Sequence, residues 1–487
     1  MVSFEKDEGK VHADLVWAFL LSFDDHEGGI DMLDKTYQEK VLEVEPFGIE
    51  SIPKEERHGH PRQQFTIWFA INLNIVTWFT GFIGVETGLS VKLAIIAILI
   101  GNLAGAAFLA LTSILGPKLG QSLVAGNQKI FGKPGMVGLA FLNLLNNIGW
   151  FTVNLVLAVM ALQKILPLGY HSSLILIAAV TLVIAFYGYN FIHSLAHWMS
   201  IIIGIVFVMM TVLSLKNLPA IMGAAPAAAG GFNLRMFILT IAICFSYQIS
   251  YCPIGSDYSR YLPEQTSAKK VWLSSFLGCL SVCVWLEILG ALTATLAMQV
   301  NSNPIDFMAR LMGMFTIPAL ITVILSILPV NAMAIYSGGL ASLAMGIPMK
   351  RWVTVITVGG FGALAGSFGG RNLADSYKNF LFLLSYWIAP WLGVLLSDFS
   401  CRSGSLCKGN PSTGWPGIVA FICGVAISVP FMSSILYVGP IAKHYLGGAD
   451  ISYFLSMAVS ALIYRGVLRF KDSAIRVRTL AETKKEI

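Results

Sequence analysis

Trp150 and Asn154 are a pair of side chains suited to binding a flat ring that contains nitrogen. They lie four residues apart in an apolar segment, so on a helix they project from one face, one turn apart. The indole offers a π-face for stacking, and the amide offers both a hydrogen-bond donor and an acceptor. The alternative is an indole that faces lipid or a neighbouring helix, beside a structural asparagine. The spacing alone is compatible with both interpretations.

A second feature is an apolar run that stops before it is long enough to cross a membrane. The run ends at Phe245, and the chain then turns polar and reaches Pro253 and Gly255. A helix broken inside a bilayer is tolerated only where its backbone lines a cavity or is buried in protein, and such breaks are typical of binding sites in secondary transporters. Phe245, Tyr247 and Gln248 precede the break and are candidates to cover the other face of a bound ring.

Polar residues also interrupt two other apolar segments. Asn72 and Asn74 lie in the first segment, five segments before the break at Pro253, and paired breaks at this separation are typical of inverted-topology repeats. Asn331 follows Pro329 in the eighth segment and is a further candidate to bind the substrate. The alternative for Asn72 and Asn74 is hydrogen bonding to neighbouring helices, which is common for amides inside membranes. The paired interruption favours transport.

Glu287 is a charged residue near the middle of an apolar segment, where a carboxyl group is either protonated or paired with a cation. No Lys or Arg lies within a segment to pair with it. One interpretation is a role in proton or ion coupling, and the other is a neutral glutamate that is hydrogen-bonded across helices. Asp257 and Arg260 follow the break in the sixth segment, where an ion pair would close a gate or anchor the helix end.

The composition is that of a polytopic membrane protein. Hydrophobic residues make up 56% of the 487 positions and charged residues 12%, whereas soluble domains carry about 25% charged residues. Twelve apolar segments are long enough to cross about 30 Å of hydrocarbon as helices, and the 32 Lys and Arg residues lie at their ends or outside them. The segments run approximately over residues 65–89, 91–115, 136–166, 172–192, 196–215, 236–256, 271–299, 312–345, 352–369, 377–398, 415–439 and 451–468.

The basic residues also predict the orientation of the chain. With an even number of crossings both termini share a side, and the loops on that side carry more Lys and Arg than the opposite loops. Both termini are therefore expected in the cytoplasm, and the protein in the plasma membrane as a multi-pass protein. The net charge of +6 follows from the same bias and implies no nucleic-acid partner. The seven Cys indicate neither a disulfide framework nor a metal site, and no oligomeric state is predicted.

Several short motifs occur in order along the chain. They are Gly88-Leu-Ser90, Gly116-Pro-Lys-Leu-Gly120 with Phe131-Gly-Lys-Pro-Gly135, Gly149-Trp-Phe-Thr-Val-Asn154, Asp257-Tyr-Ser-Arg-Tyr-Leu-Pro263 and Ile388-Ala-Pro-Trp-Leu-Gly-Val-Leu-Leu-Ser-Asp398. With these motifs the chain resembles the nucleobase:cation symporter-1 family, the purine–cytosine permeases, over roughly residues 45–470.

The resemblance implies an all-α polytopic membrane protein with the fold of the leucine transporter. In that fold, ten of the 12 transmembrane helices form a five-plus-five inverted repeat, and two helices are added at the C-terminal end. It also implies symport of a purine, a pyrimidine or a related planar ring by alternating access. Trp150 corresponds to the family's stacking tryptophan and Asn154 to the residue that binds the ring edge. The aromatic residue of the sixth helix corresponds to Tyr247 or Gln248.

The chain departs from the family pattern where many members bind sodium. Those members carry a Ser/Thr pair in the eighth helix, and this chain has Leu328 and Pro329 in its place, with Asn331 as the nearest amide. The coupling cation is therefore expected to be a proton rather than sodium, with sodium still possible and no other cofactor. Glu287 fits proton coupling.

The predicted division of the chain follows from the repeat. Residues 1–64 form an acidic cytoplasmic tail with no signal peptide, and residues 469–487 form a basic one. Residues 65–215 and 236–398 form the two repeats, and residues 415–468 form the two added helices.

Two alternative functions stay open. A symporter of this fold for an amino acid or another small amine would aim helix N-termini at a carboxylate, and the Trp/Asn pair argues mildly against it. A membrane-embedded enzyme or a sensor is remote, because no His or second carboxylate lies beside Glu287 and neither tail is long enough for an output domain.

Overall fold

The computed structural model describes residues 48–86, 88–187, 189–223, 233–299, 304–347, 350–368, 373–403, 414–434 and 437–483. Most of the predicted acidic tail, residues 1–47, lies outside these ranges, as do residues 484–487 of the basic tail. Within the described ranges the chain is helical, apart from turns, loops and one isolated β-bridge between Ser433 and Val438. The all-α prediction is therefore confirmed.

The main helices are α1a (Arg62–Asn72), α1b (Ile75–Glu86), α2 (Val91–Ser113), α3 (Gln128–Ile165), α4 (Tyr170–Tyr187), α5 (Tyr189–Lys216), α6 (Leu234–Ile249), α7 (Ala268–Gln299), α8 (Thr316–Ala344), α9 (Arg351–Phe368), α10 (Leu373–Ser403), α11 (Trp415–Ser428) and α12 (Ser452–Thr483). Short helices at Leu115–Leu119, Leu123–Gly126, Leu218–Gly223, Pro304–Met312 and Pro440–His444 lie in the connections.

Each predicted apolar segment coincides with one of the main helices, and the first coincides with the pair α1a and α1b. Within the described ranges, eight helices are long and apolar enough to cross a membrane, and the bent pair adds a ninth. The apolar parts of α4, α9 and α11 are shorter, at 10–17 residues. The predicted count of twelve crossings is therefore not established by helix length.

The first span is broken, and its two halves meet at an angle of 62°. Asn74 satisfies the backbone at this break. Its Oδ1 accepts from the N–H groups of Val76 and Thr77, at 2.8 and 3.2 Å, as an N-cap residue does. Its Nδ2 donates to the Ile71 carbonyl at 2.7 Å, so one side chain serves the end of α1a and the start of α1b. The interruption predicted from Asn72 and Asn74 is confirmed.

The sixth span is broken as well. α6 ends at Ile249, and the chain continues through 3₁₀ turns at Cys252–Ile254 and Ser259–Tyr261, which are almost entirely buried. Pro253 has no backbone N–H to donate, so it suits the start of a tight turn better than the interior of a helix. The predicted interruption of the α-helix before Pro253 is confirmed, whereas the segment Leu234–Tyr261 as a whole is long and apolar enough to cross a membrane.

The predicted interruption of the eighth span is wrong, because α8 continues without a break through Pro329. Proline removes one bond from the helical ladder, but membrane helices tolerate this where neighbouring helices support them. α8 is packed along α3 over this stretch, and both Leu328 and Asn331 are buried there. Packing therefore outweighs the local tendency of Pro329 to break the helix.

The broken helices meet their neighbours at glycines. At the crossing of α1b and α7, a Cβ on Gly81 would collide with the Glu287 carbonyl, and a Cβ on Gly290 with the Trp78 carbonyl. At the crossing of α2 and α6, a Cβ on Gly101 would collide in the same way with the Ile241 carbonyl of α6. Small residues let membrane helices come this close. α1b thus packs on α7 in the same way as α6 packs on α2.

Replacing Asn74 by alanine is expected to destabilise the protein, because three backbone groups at the break lose their partner. The loss of an N-cap alone costs about 0.5–2 kcal/mol. The apparent unfolding temperature of purified Asn74→Ala in detergent should fall below that of the wild type, and Asn74→Ser, which keeps a capping oxygen, should fall less. Asn217→Ala is the control, because that amide is exposed and bonds only to its own helix. Equal unfolding temperatures for Asn74→Ala and Asn217→Ala would contradict the capping role.

Candidate functional site

Trp150 lies at the centre of an aromatic cluster formed by α3, α10 and the end of α6. Its ring is stacked on Tyr251, with centroids 5.6 Å apart and planes 17° apart. Tyr247, Tyr377 and Phe380 meet it at steep angles, with centroids 5.4 to 6.1 Å away. Trp150 is 6% exposed. The indole is therefore enclosed in a box of four rings, which we call the aromatic box.

Asn154 lies one turn from Trp150 on α3 and is buried, and neither its Oδ1 nor its Nδ2 has a hydrogen-bond partner in the protein. Asn331 of α8 is held against α3 by a bond from its Nδ2 to the Phe151 carbonyl at 3.4 Å, and the Oδ1 of Asn331 has no partner either. A buried polar atom left unpaired costs about 1–3 kcal/mol. Unpaired amide atoms next to the aromatic box are thus available to a polar ligand.

The aromatic box is tied to the break in the first span through hydroxyl groups. Tyr251 donates to the Tyr247 hydroxyl at 3.4 Å, and Tyr247 and Thr77 of α1b share a bond of 2.6 Å. The Thr77 hydroxyl in turn donates to the Asn72 carbonyl at 2.6 Å. A second link joins the hydroxyls of Tyr377 and Thr80, also on α1b, at 2.7 Å. Two rings of the box are therefore fixed by α1b.

Gln248 and Phe245 lie away from Trp150, unlike the arrangement predicted for them. Both ends of the Gln248 amide have protein partners: Nε2 donates to Asn102 Oδ1 at 2.6 Å, and Oε1 accepts from the Cys279 thiol at 2.7 Å. Phe245 packs against rings of α2 and α12 instead. The reason is helical geometry, because these residues flank Tyr247 on α6 and project from other faces of the helix.

Glu287 is fully buried on α7, and its Oε2 accepts from Asn102 Nδ2 at 2.6 Å. The carboxyl group is thus held by α2 rather than by the aromatic box. Asn72 and Asn74 are also bonded within the protein, at the break that they form. Within the described ranges, no group of three or more His, Cys, Asp or Glu side chains is arranged to hold a metal ion.

Arg260 is a fully buried arginine beside the 3₁₀ turns that follow α6. Its Nη1 donates to the Gly48 carbonyl at 2.7 Å and its Nη2 to the Tyr336 hydroxyl of α8 at 3.1 Å. Asp257 is buried nearby, and its pairing with Arg260 stays a prediction. Arg260 therefore joins the segment before α1a to α8 at the end of the broken sixth span.

The family of the chain is decided by its sequence. A family described as permeases for cytosine/purines, uracil, thiamine and allantoin matches residues 51–456, most of the chain. The chain belongs to this permease family. A putative purine-cytosine permease, YxlA, of Bacillus subtilis (strain 168) is 30% identical to this permease over 440 residues, which cover 87% of this chain and 95% of that protein. The purine-cytosine permease fcyB of Emericella nidulans is 26% identical over 452 residues, which cover 87% of this chain and 88% of that protein.

Solved structures of Mhp1, a nucleobase-cation-symport-1 family transporter, share the fold of this permease. An inward-facing structure aligns with a TM-score of 0.71 and 18% identity, over 88% of this chain and 94% of that one. A closed structure with bromovinylhydantoin bound aligns with a TM-score of 0.69 and 17% identity, over 88% and 95%. The predicted family and transporter fold are therefore confirmed.

Three rings of the aromatic box were not predicted from the sequence. Tyr251 could have been, because it lies four residues after Tyr247 and so shares its helix face. Tyr377 and Phe380 also lie on one face of α10, but nothing in the sequence shows that α10 faces Trp150. Their place in the site depends on the packing of helices that are distant in the chain.

The unpaired amide of Asn154 predicts an unusual stability result. Asn154→Leu removes two unpaired polar atoms, so the permease should unfold at the same temperature as the wild type or at a higher one. Asn102→Leu should lower the unfolding temperature, because that amide bonds to Ile98, Gln248 and Glu287. Both are measured by thermal unfolding in detergent without ligand. A decrease in the unfolding temperature of Asn154→Leu as large as that of Asn102→Leu would show that the Asn154 amide is structural.

Proposed function

We propose that this permease imports a purine, a pyrimidine or a related planar nitrogen heterocycle as a secondary active transporter with alternating access. The observation that carries the proposal is the aromatic box around Trp150, with the unpaired amide of Asn154 one turn away. A base gains about 1–3 kcal/mol from stacking on an aromatic ring. The amide of Asn154 supplies a donor and an acceptor to the ring edge, and Asn331 supplies an acceptor.

The relatives support the same class of substrate. Two of them carry purine-cytosine permease in their names, and the closed structure of Mhp1 holds a substituted hydantoin, which is a planar ring with amide-like edges. An amino-acid substrate would instead require charge complementarity to a carboxylate. The aromatic box contributes none, because its members are tryptophan, tyrosine and phenylalanine.

We propose that the coupling cation is a proton. At the position where many family members carry hydroxyl ligands for sodium, α8 has Leu328 and Pro329, whose side chains contain no oxygen. Glu287 is a buried carboxyl group within the bundle. A proton bound to this group from the outer solution and released to the inner one would drive substrate uptake.

The domain division and orientation are part of the same proposal. Residues 65–215 and 236–398 are the two inverted repeats, and residues 415–468 are the two added helices. The packing of the helices supports this division. The repeat relates the first helix to the sixth and the second to the seventh, so the contact of α1b with α7 corresponds to the contact of α6 with α2. The distribution of Lys and Arg supports a plasma-membrane protein with both termini in the cytoplasm.

The site assignment is tested by uptake into cells or liposomes, with competition by cytosine, uracil, adenine, hypoxanthine, allantoin and a hydantoin, and with amino acids as the comparison class. We expect at least one ring compound to be taken up and amino acids to compete poorly. Trp150→Ala and Asn154→Ala should abolish uptake while the protein still reaches the membrane, and Trp150→Phe should retain a part. Trp352→Ala, at a 51% exposed tryptophan on α9, is the matched control. Full uptake by both alanine variants would refute the site.

The coupling ion is tested by measuring uptake with and without sodium and at two external pH values. Proton coupling predicts that uptake rises as the external pH falls and does not require sodium. Glu287→Gln keeps the shape of the side chain but cannot exchange a proton, so uptake by this variant should be slow and independent of pH. Uptake by Glu287→Gln with the wild-type pH dependence would remove this residue from coupling.

A further inference from the structure

A buried chain of hydrogen bonds runs from the break in the first span to Glu287. Asn72 Nδ2 donates to Cys279 Sγ at 3.4 Å, and the Cys279 thiol donates to Gln248 Oε1 at 2.7 Å. Gln248 Nε2 donates to Asn102 Oδ1, and Asn102 Nδ2 donates to Glu287 Oε2, both at 2.6 Å. All five residues are 0% exposed, and they come from α1a, α7, α6 and α2. The chain therefore crosses the interface between both broken spans.

Every donor in this chain points toward Glu287. The direction is fixed by the backbone, because Asn72 Nδ2 also donates to the Trp68 carbonyl and Asn102 Nδ2 to the Ile98 carbonyl, each at 2.9 Å. Exchanging nitrogen and oxygen in either amide would lose these bonds and set two oxygens against each other. A row of aligned hydrogen bonds is strongest when its last acceptor is ionised, since each bond polarises the next.

The other end of the chain reaches the aromatic box through the same residue. The Asn72 carbonyl accepts from the Thr77 hydroxyl at 2.6 Å and from the Asn74 N–H at 2.9 Å. Thr77 is bonded to Tyr247, a ring of the box. Tyr247 is also the residue before Gln248 in the sequence. A single peptide bond therefore joins the aromatic box to the chain of hydrogen bonds.

We propose that this chain transmits the charge of Glu287 to the break in the first span, with Asn102, Gln248 and Cys279 as positioning residues. The inference deepens the proposed function, on which its role in transport rests. With Glu287 ionised, the four bonds are strong and Asn72 is held against α7. A proton taken from water onto the other oxygen, Oε1, leaves Oε2 as a neutral carbonyl oxygen. The four bonds then weaken and the break loosens, until the proton returns to water.

Few other groups can respond to the charge of Glu287. The thiols of Cys244 on α6 and Cys283 on α7 face it, and the phenol of Tyr377 on α10 lies within electrostatic range. α1b presents Gly81 at this point, which is not titratable. Among the described residues, no Lys, Arg or His forms an ion pair with Glu287. The Cys244 thiol and the chain of hydrogen bonds that begins at Asn102 are therefore the hydrogen-bonded partners of this carboxyl group.

Hydrogen–deuterium exchange of the purified permease tests this inference without any substrate. The readout is the protection of the amides of residues 73–77, at two pH values and corrected for the intrinsic exchange rate. In the wild type, protection should be about fivefold lower at the lower pH, the change expected when one net hydrogen bond is weakened. Glu287→Gln should remove this difference, because its charge is constant.

Variants of Cys279 distinguish an effect transmitted through the chain of hydrogen bonds from a general effect of pH on the protein. Cys279→Ala interrupts the chain and should also remove the pH difference at residues 73–77. Cys279→Ser keeps a donor and an acceptor and should restore it. Cys401→Ala, at a buried cysteine of α10 outside the chain, should behave like the wild type. If Cys279→Ala does not yield folded protein, Asn102→Ser interrupts the same chain on the other side of Gln248.

The inference is overturned if Cys279→Ala keeps the wild-type pH difference, or if the wild type has none. It is supported if the difference disappears in Cys279→Ala and returns in Cys279→Ser. In the uptake assay, Cys279→Ala should then transport the same base as the wild type with a flattened pH profile. A wild type that takes up none of the tested bases would refute the proposed function, whereas the exchange result would still decide the inference.

Discussion

In hydrocarbon, a backbone N–H or C=O group without a partner costs several kcal/mol, and this constraint governs the whole permease. A transporter needs polar backbone at the depth of its substrate, so it must break helices where breaking them is most expensive. At the break in the first span, the side chain of Asn74 bonds to the backbone groups on both sides. In the sixth span, the chain after the α-helix continues as two buried 3₁₀ turns. Asn72 and Asn74 at the first break and residues 251–260 at the second are all buried within the protein.

In the proposed mechanism, binding and coupling use different sides of the same two helices. On α6, Tyr247 faces the aromatic box, and Gln248, the next residue, faces α2 and α7. On the first span, the Asn72 carbonyl is bonded toward Tyr247 through Thr77, and the Asn72 side chain toward Cys279. Linkage between two sites requires an element whose state both of them bias. In the proposal, the broken first span is that element.

Local features of the sequence were predicted well, and features that depend on packing were not. Both breaks and the helical class followed from apolar runs interrupted by Asn72, Asn74, Pro253 and Gly255. The family followed from its resemblance in short motifs along the chain. The continuity of α8 through Pro329 did not, because neighbouring helices override its propensity. The partners of Gln248 were also out of reach, since Asn102 and Cys279 are brought to it by helices distant in the chain. A lone buried amide gives no sign of which neighbour it will meet.

The two breaks differ in how far along the chain their partners lie, and this has a consequence for biosynthesis. Every bond that Asn74 makes is to a residue within three positions, so the first break can form as soon as that segment leaves the ribosome and enters the bilayer. The second break is held from outside, by a bond of 3.2 Å from Asn146 of α3 to the Ser250 carbonyl. Because α3 is synthesised before α6, its partner is already in the membrane when the sixth span emerges. Later helices then add further bonds at both breaks, from Asn72 to Cys279 of α7 and from Arg260 to Tyr336 of α8.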